Sequence, residues 1–249
     1  MTLHAKNIRL ITDLRKRWYF AEIEHFFAER VRRVGLPDAL DYLTEVMREA
    51  QPVIEGLLDQ RVQSGIINDK RQARVSVAGN GFQGLVAYAL AECQQVNLLD
   101  NRLIFVLKPK EHELVKAHAS IKIANEIQKP DFDLLVYCDG ADSGAIGIFS
   151  LKTSLRERAG QTYRWKLLLD IATADNSVSL KKKYGLEYEH SRPILVSLIT
   201  ADFYNEVNSP QQRGAFSFFH SVYVTKPLVE DNLVKSFSLI VPALNRDFC

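Results

Sequence analysis

The stretch KPDFDLLVYCDGADSGAIGIFSLKTSLRERAG, Lys129 to Gly160, decides how the chain is read. An apolar run from Phe132 to Cys138 is followed by DGADSG, whose Asp and Gly content suits a tight turn, and then by a second run ending in Ser-Leu-Lys. Two neighbouring strands are predicted. The strand period of two puts Asp131, Asp133, Leu135 and Tyr137 on one face and Phe132, Leu134 and Val136 on the other. On the second strand Ser150 and Lys152 share a face, opposite Phe149 and Leu151. If the strands pair antiparallel, the face carrying both acids meets Ser150 and Lys152. Two carboxylates roughly 7 Å apart repel each other unless something cationic lies between them.

A carboxylate pair with a lysine around one point suits metal-assisted phosphodiester hydrolysis. The acids hold a hard cation through oxygen. The cation lowers the pKa of a bound water, and the lysine orients that water and offsets developing negative charge. A solvated hairpin with weak surface ion pairs satisfies the same spacing, so the spacing leaves both readings open. Arg156, Glu157 and Arg158 then follow at a strand-to-helix junction. Helical neighbours fan out by ~100° per residue, but at a helix N-terminus pointed into a groove all three can reach base edges. Arginine binds guanine O6 and N7, and glutamate accepts from the cytosine N4 amino group. Taken alone, the triplet reads as an ordinary charged first turn, with Glu157 favourable to the helix dipole.

Outward from this stretch the pattern is helical on the N-terminal side. Trp18, Phe20, Ile23, Phe26, Phe27 and Val31 recur at helical spacing until Gly35-Leu36-Pro37. A second helix is expected over Ala39–Ala50, stopping before Pro52, and a third, short one over Ile54–Gln63. This aromatic, amphipathic section packs either on its own core or as a dimer contact. GNGFQGLVAYALAECQQ, 79–95, reads as a helix with Phe82, Leu85, Val86, Ala89 and Leu90 on one face. RLIFVLK reads as a strand, and EHELVKAHASIKIANEIQ, 111–128, as a helix ending before Pro130. Beyond Gly160 the expectation is a helix in AGQTYRWKLLLDIATA, a buried strand in RPILVSLIT, a strand in AFSFFHSVYVT (215–225) and a terminal helix around EDNLVKSFSLIVPAL. Helices flanking a central set of strands indicate one α/β domain, 1–249, with a mixed sheet. Within it, 1–65 forms a helical N-terminal subregion and 78–225 a catalytic core.

The bulk numbers agree. With 47% hydrophobic and 25% charged residues the chain is ordinary globular protein. A formal charge of +2 neither demands nor excludes a nucleic-acid partner. Cys93, Cys138 and Cys249 are distant and odd in number, without CxxC or HxxxH spacing, so neither a disulfide framework nor a structural zinc is expected. The expected setting is a reducing cytoplasm. The N-terminus lacks the apolar core of a signal peptide, and no run approaches the ~20 apolar residues of a membrane span.

In combination, KPDFDLLVY, FSLKTSLRER and QTYRWKLLL resemble type II restriction endonucleases of the PD-(D/E)xK superfamily. The branch they look like carries Ser-x-Lys followed by an Arg-Glu-Arg reading motif and includes enzymes cutting CCGG and CC-N-GG sites. The resemblance covers Lys129 to Leu169, with a weaker match at GNGFQGLVAYAL. The short PD-(D/E)xK signature is degenerate; KTSLRER is far more specific. The resemblance implies a restriction-endonuclease-like core and a homodimer that cuts double-stranded DNA at a short G·C-rich palindrome, using Mg²⁺, in a system with a cognate DNA methyltransferase. It assigns Asp131 to the PD acid, Lys152 to the catalytic lysine, and Ser150 to the usual second-acid position. Asp133 is a partner or alternative ligand, with the Leu151 carbonyl beside it. Arg156, Glu157 and Arg158 match the base readers, and Gln83 falls where related enzymes often carry a helix glutamate near the metal.

One departure stands out. Relatives with serine in the second slot recover the lost carboxylate from the following helix, yet that region here reads Arg164, Trp165, Lys166. Asp170, one turn past Lys166, is the candidate for the missing acid. Lys181, Lys182 and Lys183 in SLKKKYG either contact DNA phosphates or belong to a solvated loop. Two rival functions are a less specific repair or mobile-element nuclease on the same core and a non-catalytic DNA-binding module.

Overall fold

The apolar spacing of the N-terminal section becomes helices α1 (Ala5–Arg15), α2 (Phe20–Val34), α3 (Leu43–Gln63) and α4 (Lys70–Gln95) in a computed structural model, which describes residues 3–155, 159–189 and 192–249. Helix α3 runs through Pro52 where a break was expected. Pro52 withholds an N–H from the Arg48 carbonyl, but both residues are exposed, so that carbonyl is open to solvent and the lost bond costs little. On the opposite side Val46, Met47, Ala50, Ile54 and Leu58 are buried at helical spacing and hold the helix down. Helix α4 begins earlier than its apolar run because Asp69 caps it, its side chain accepting from Gln72 N at 2.9 Å.

Strands β1 (Leu103–Leu107), β4 (Leu134–Cys138), β5 (Ile146–Lys152), β7 (Ile194–Thr200), β8 (Ser221–Val224) and β9 (Lys235–Ser236) form a sheet in the order β1-β4-β5-β7-β8-β9. The β1–β4 and β4–β5 pairs are antiparallel; β5–β7, β7–β8 and β8–β9 are parallel. The expected α/β domain with a mixed sheet flanked by helices is therefore observed. One face (Phe105, Leu134, Val136, Phe149, Leu151, Ile199) packs on α1–α4 and on α9 (Ile240–Phe248) in one core, so the N-terminal helices share the core of the sheet. The other face (Ile104, Leu135, Ile148, Val196, Leu198, Val222) packs on α5 (Glu113–His118) and α6 (Ala159–Thr173).

Other expectations change as well: the terminal helix expected around 230–244 begins only at Ile240, after β9. The helix expected over 111–128 is instead α5 followed by a hairpin of β2 (Ile121–Ile123) and β3 (Glu126–Gln128), which pairs through β2 with β6 (Leu186–Glu187). The alternation of IKI, with β-branched residues at both ends, overrides the helical count, and Ala124 turns the chain at φ 52°. Within 215–225 only the end is strand: Ala215 and Phe216 close α8 (Pro210–Phe216), started by Pro210 in its first turn. SLKKKYG is a helix, α7 (Val178–Tyr184), ended by Gly185 in the left-handed conformation.

The cysteine expectation is overturned as well. Cys138 at the end of β4 is disulfide-bonded to Cys249 across 111 residues, with Cα atoms 5.6 Å apart. Spacing could not reveal this because the fold makes the encounter. Gly147 leaves room for the Phe248 ring, where any Cβ would lie 2.6 Å from Phe248 Cζ, and the docked C-terminus delivers Cys249. Cys93 is free and buried. Among the described residues no helix is long and apolar enough to cross a membrane.

Candidate active site

Register decides which of the predicted side chains meet. Leu134 pairs with Phe149 and Leu135 with Ile148, so the residue before β4 lies opposite Ser150. Pairing extends to that residue: Asp133 N donates to the Phe149 carbonyl at 3.0 Å, and the Asp133 carbonyl accepts from Lys108 N at 2.9 Å. The half-buried Asp133 carboxylate accepts from Gln83 Nε2 at Oδ1 (2.7 Å), and from Leu151 N (2.8 Å) and Lys152 Nζ (3.1 Å) at Oδ2. Lys152 is only 8% exposed, so its ammonium depends on this partner in a place where water screens little. Gln83 comes from α4, Asp133 from the start of β4, and Lys152 from the end of β5. Because α4 lies over the face of the sheet, Gln83 fixes the acid from a third direction. A groove of about 550 Å³ along α4, lined by Arg71, Gln72, Ser76, Asn80 and Gln83, opens beside this point.

Asp131 does not join Asp133. The chain bends at Asp133, and Phe132 enters the same core as Leu135 and Tyr137 instead of alternating away from them. Burying the ring turns Asp131 out to solvent. Ser150 lies on the Lys152 face of β5 but is fully buried, and its hydroxyl accepts from Thr162 Oγ1 of α6 at 3.0 Å. Asp170 forms an ion pair with Lys166 one turn earlier on α6. Among the described residues no three of Asp, Glu, His and Cys converge to hold a metal, so Asp131, Asp133 and Asp170 are not gathered at one point. Lys182 and Lys183 are exposed in the last turn of α7, where Lys181, half-buried, also favours the helix dipole. Arg156, Glu157 and Arg158 lie outside the described residues.

Sequence reasoning passed over the segment that leaves β7. Ala201 N donates to the Lys152 carbonyl (3.0 Å) and Phe203 N to the Thr153 carbonyl (3.1 Å), so it keeps pairing with the chain beyond β5. Asp202 is fully buried at φ 47°, its Oδ1 accepting from Glu206 N (2.6 Å) and Val207 N (3.2 Å). Lys226 Nζ lies 2.8 Å from its Oδ2 as the balancing charge. An acid directly after a buried apolar strand was the available signal, because such a carboxylate needs partners to be tolerated.

Residues 109–242 match the sequence model of a family described as BsaWI restriction endonuclease type 2, more than half of the chain. No curated protein matches. Among solved structures, the chain is similar to one titled "Restriction endonuclease PspGI-substrate DNA complex", at 12% identity and a TM-score of 0.51, covering 90% of this chain and 92% of that one. Another match is "Crystal structure of pre-specific restriction endonuclease BsaWI-DNA complex", at 14% identity and a TM-score of 0.39, covering 92% and 91%. At these identities the first structural likeness speaks for the fold.

Proposed function

Because this chain belongs to the BsaWI type 2 restriction endonuclease family, a family of sequence-specific DNA-cleaving hydrolases, we propose that it cuts both strands of a short G·C-rich palindrome. The observation that carries the reading is the contact of Asp133 with Lys152 and Gln83, an acid, a cation and an amide at one end of the sheet. We assign the central acidic role to Asp133, with Asp131 as the second acid of the same strand start and Lys152 as the catalytic lysine. Ser150 supports β5 beneath them through Thr162.

The donor set suits Mg²⁺ in one respect: that ion takes only one or two protein carboxylates and fills its shell with water and substrate phosphate oxygens. Asp133 and the Leu151 carbonyl would hold it, whereas Asp131 is turned to solvent and Asp170 is committed to Lys166. When bound, Mg²⁺ lowers the pKa of a water and draws charge from the phosphate oxygens. The chain's own residues do the remaining work. Lys152 Nζ orients the attacking water and offsets negative charge gathering on the phosphate. Gln83 Nε2 and Leu151 N grip opposite oxygens of Asp133, so the carboxylate is already oriented when substrate arrives. Arg156 and Arg158 suit guanine edges and Glu157 suits cytosine; Lys181, Lys182 and Lys183 suit phosphates. The enzyme acts as a homodimer in which residues 1–65 contribute to the contact, since a palindrome calls for a two-fold symmetric reader. A cognate methyltransferase accompanies it.

The test is digestion of a sequenced plasmid with and without Mg²⁺, followed by end sequencing. Discrete bands with identical ends only with Mg²⁺ are expected, and Lys152→Ala removes them while leaving DNA binding in place. A smear of unrelated ends favours a repair-type nuclease, and binding without cleavage favours a non-catalytic module; either result rejects the proposal.

A further inference from the structure

We propose that Glu206 is a positioning residue that sets sequence discrimination, by holding the backbone immediately before the Arg156-Glu157-Arg158 triplet in fixed register with the catalytic strand. The inference rests on the reading of that triplet as the base reader and names the side chains that tie down the residue before it.

The geometry centres on Leu155. Its N–H donates to Glu206 Oε2 at 2.8 Å, and its carbonyl accepts from Gln212 Nε2 at 3.1 Å. Both main-chain groups of the last residue before the triplet are therefore taken by side chains from one short segment, 206–212. Ser154 Oγ donates to the same Glu206 oxygen at 3.0 Å. The Leu155 side chain is fully buried in the core shared with α6. Upstream, the Lys152 and Thr153 carbonyls accept from Ala201 N and Phe203 N. Hydrogen bonds from the 201–212 segment thus reach each residue from the catalytic lysine to the one preceding the triplet.

Glu206 is itself fixed from behind. Its N–H donates to Asp202 Oδ1, and Asp202 is buried and balanced by Lys226. Bonds from N–H and O–H groups to a carboxylate are stronger than those to neutral acceptors, so Glu206 is the firmest of these ties. A local α-helix or strand would satisfy Leu155 through backbone partners and leave no need for side chains. The chain invests an acid and an amide there instead, in a stretch that contacts neither Asp133 nor Lys152 through side-chain bonds. That placement suits a segment whose orientation must be held to a fraction of an ångström, because base-edge hydrogen bonds fail with small displacements.

The experiment uses the full-length enzyme as wild type, Glu206→Ala, Glu206→Gln and Gln212→Ala. Single-turnover cleavage is measured on the cognate duplex and on duplexes with one base pair exchanged. Glu206→Ala is expected to lower the ratio of cognate to altered-site cleavage by about 10-fold, equivalent to one charge-assisted hydrogen bond. Glu206→Gln restores most of that ratio, since its amide oxygen still accepts from Leu155 N. Equal losses on all duplexes, or an unchanged ratio, overturn the proposal. Should Glu206→Ala fail to fold, Gln212→Ala decides: a reduced ratio supports the assignment and a retained one rejects it. Wild-type enzyme without discrete cleavage rejects the parent reading and this one with it, a failure visible before any variant is made.

Discussion

Asp133→Asn is the substitution that most directly tests the placement of the acid. Asparagine has nearly the same shape but only one accepting oxygen. Asp133 serves Gln83 at one oxygen and both Leu151 N and Lys152 at the other, so the amide must present its NH₂ to one of these donors. A hydrogen bond to a charged group contributes about 1.5–3 kcal/mol, and breaking a buried ion pair costs about 3–5 kcal/mol. The side chains of the Lys152–Asp133 pair are 10% and 17% exposed, so they lie close to the buried limit. A loss of roughly 2–4 kcal/mol follows, which for a chain of this length lowers the melting temperature by about 5–15 °C. Cleavage falls further, because removing a preorganised electrostatic partner costs about 10²–10³ in rate. Asp131→Asn, at an exposed position, stays within about 0.5 kcal/mol in stability and loses less than about 10-fold in rate. Scanning fluorimetry gives the melting temperatures, and single-turnover cleavage at saturating Mg²⁺, well below both melts, gives the rates. If Asp133→Asn keeps more than a tenth of the rate while Asp131→Asn is inactive, the carboxylate bonded to Lys152 is not the working acid.

Three further predictions rest on other parts of the fold. Burial raises the Glu45 carboxyl above its ordinary pKa, its own backbone N–H and nearby Arg48, Arg30 and Lys226 opposing this, and its Oε2 is buried without a partner among the described residues. A carboxyl raised by folding binds its proton more tightly in the native state, so its contribution is fully present below the unfolded pKa and is lost as pH rises through the folded one. Glu45→Gln should therefore raise the melting temperature at pH 7 and have no stabilising effect at pH 4; an equal shift at both pH values would remove burial as the cause. Gly147→Ala puts a Cβ 2.6 Å from Phe248 Cζ and 2.8 Å from Phe149 Cε2, overpacking that should cost about 1–3 kcal/mol; an unchanged melt would mean that the C-terminus is not seated on β5. Thiol titration in denaturant without reductant should find one thiol, Cys93, and three after reduction; three without reductant would contradict the Cys138–Cys249 bond.

The two strands that carry Asp133 and Lys152 were legible because their signal is local: alternation, an Asp- and Gly-containing turn, and a length suited to a hairpin. What alternation misjudged is Asp131. It assumes a regular strand, and Phe132 gains more by entering the core beside Leu135 than by keeping the period. Pro52 was read as a stop because local rules assign its missing hydrogen bond a cost, yet on an exposed face that cost is small against the buried row from Val46 to Leu58. Gln83 could be nominated only by resemblance, since its bond to Asp133 spans 50 residues. The Cys138–Cys249 bond and the tie of Glu206 to Ser154 and Leu155 were invisible for the same reason. Each depends on two segments meeting, and neither segment carries a pattern that names the other.

The sheet order accounts for why catalytic and reading residues can leave a single strand end. β5 is where the sheet changes from antiparallel to parallel pairing. Its antiparallel partner β4 starts where β5 finishes, so the residue entering β4 is set against the end of β5, and Asp133 meets Lys152. Its parallel partner β7 finishes at the same end, so the chain leaving β7 accompanies the chain leaving β5, and 201–206 braces 152–155. A strand with two antiparallel neighbours would receive two incoming segments and lack the outgoing brace; one with two parallel neighbours would lack the incoming acid. Register then fixes the chemistry. A slip of one residue between β4 and β5 would exchange the two faces of β4, turning Leu134 and Val136 from the helical core and the acid away from Lys152. The apolar demands of two separate cores therefore hold Asp133 in place more firmly than its own three hydrogen bonds.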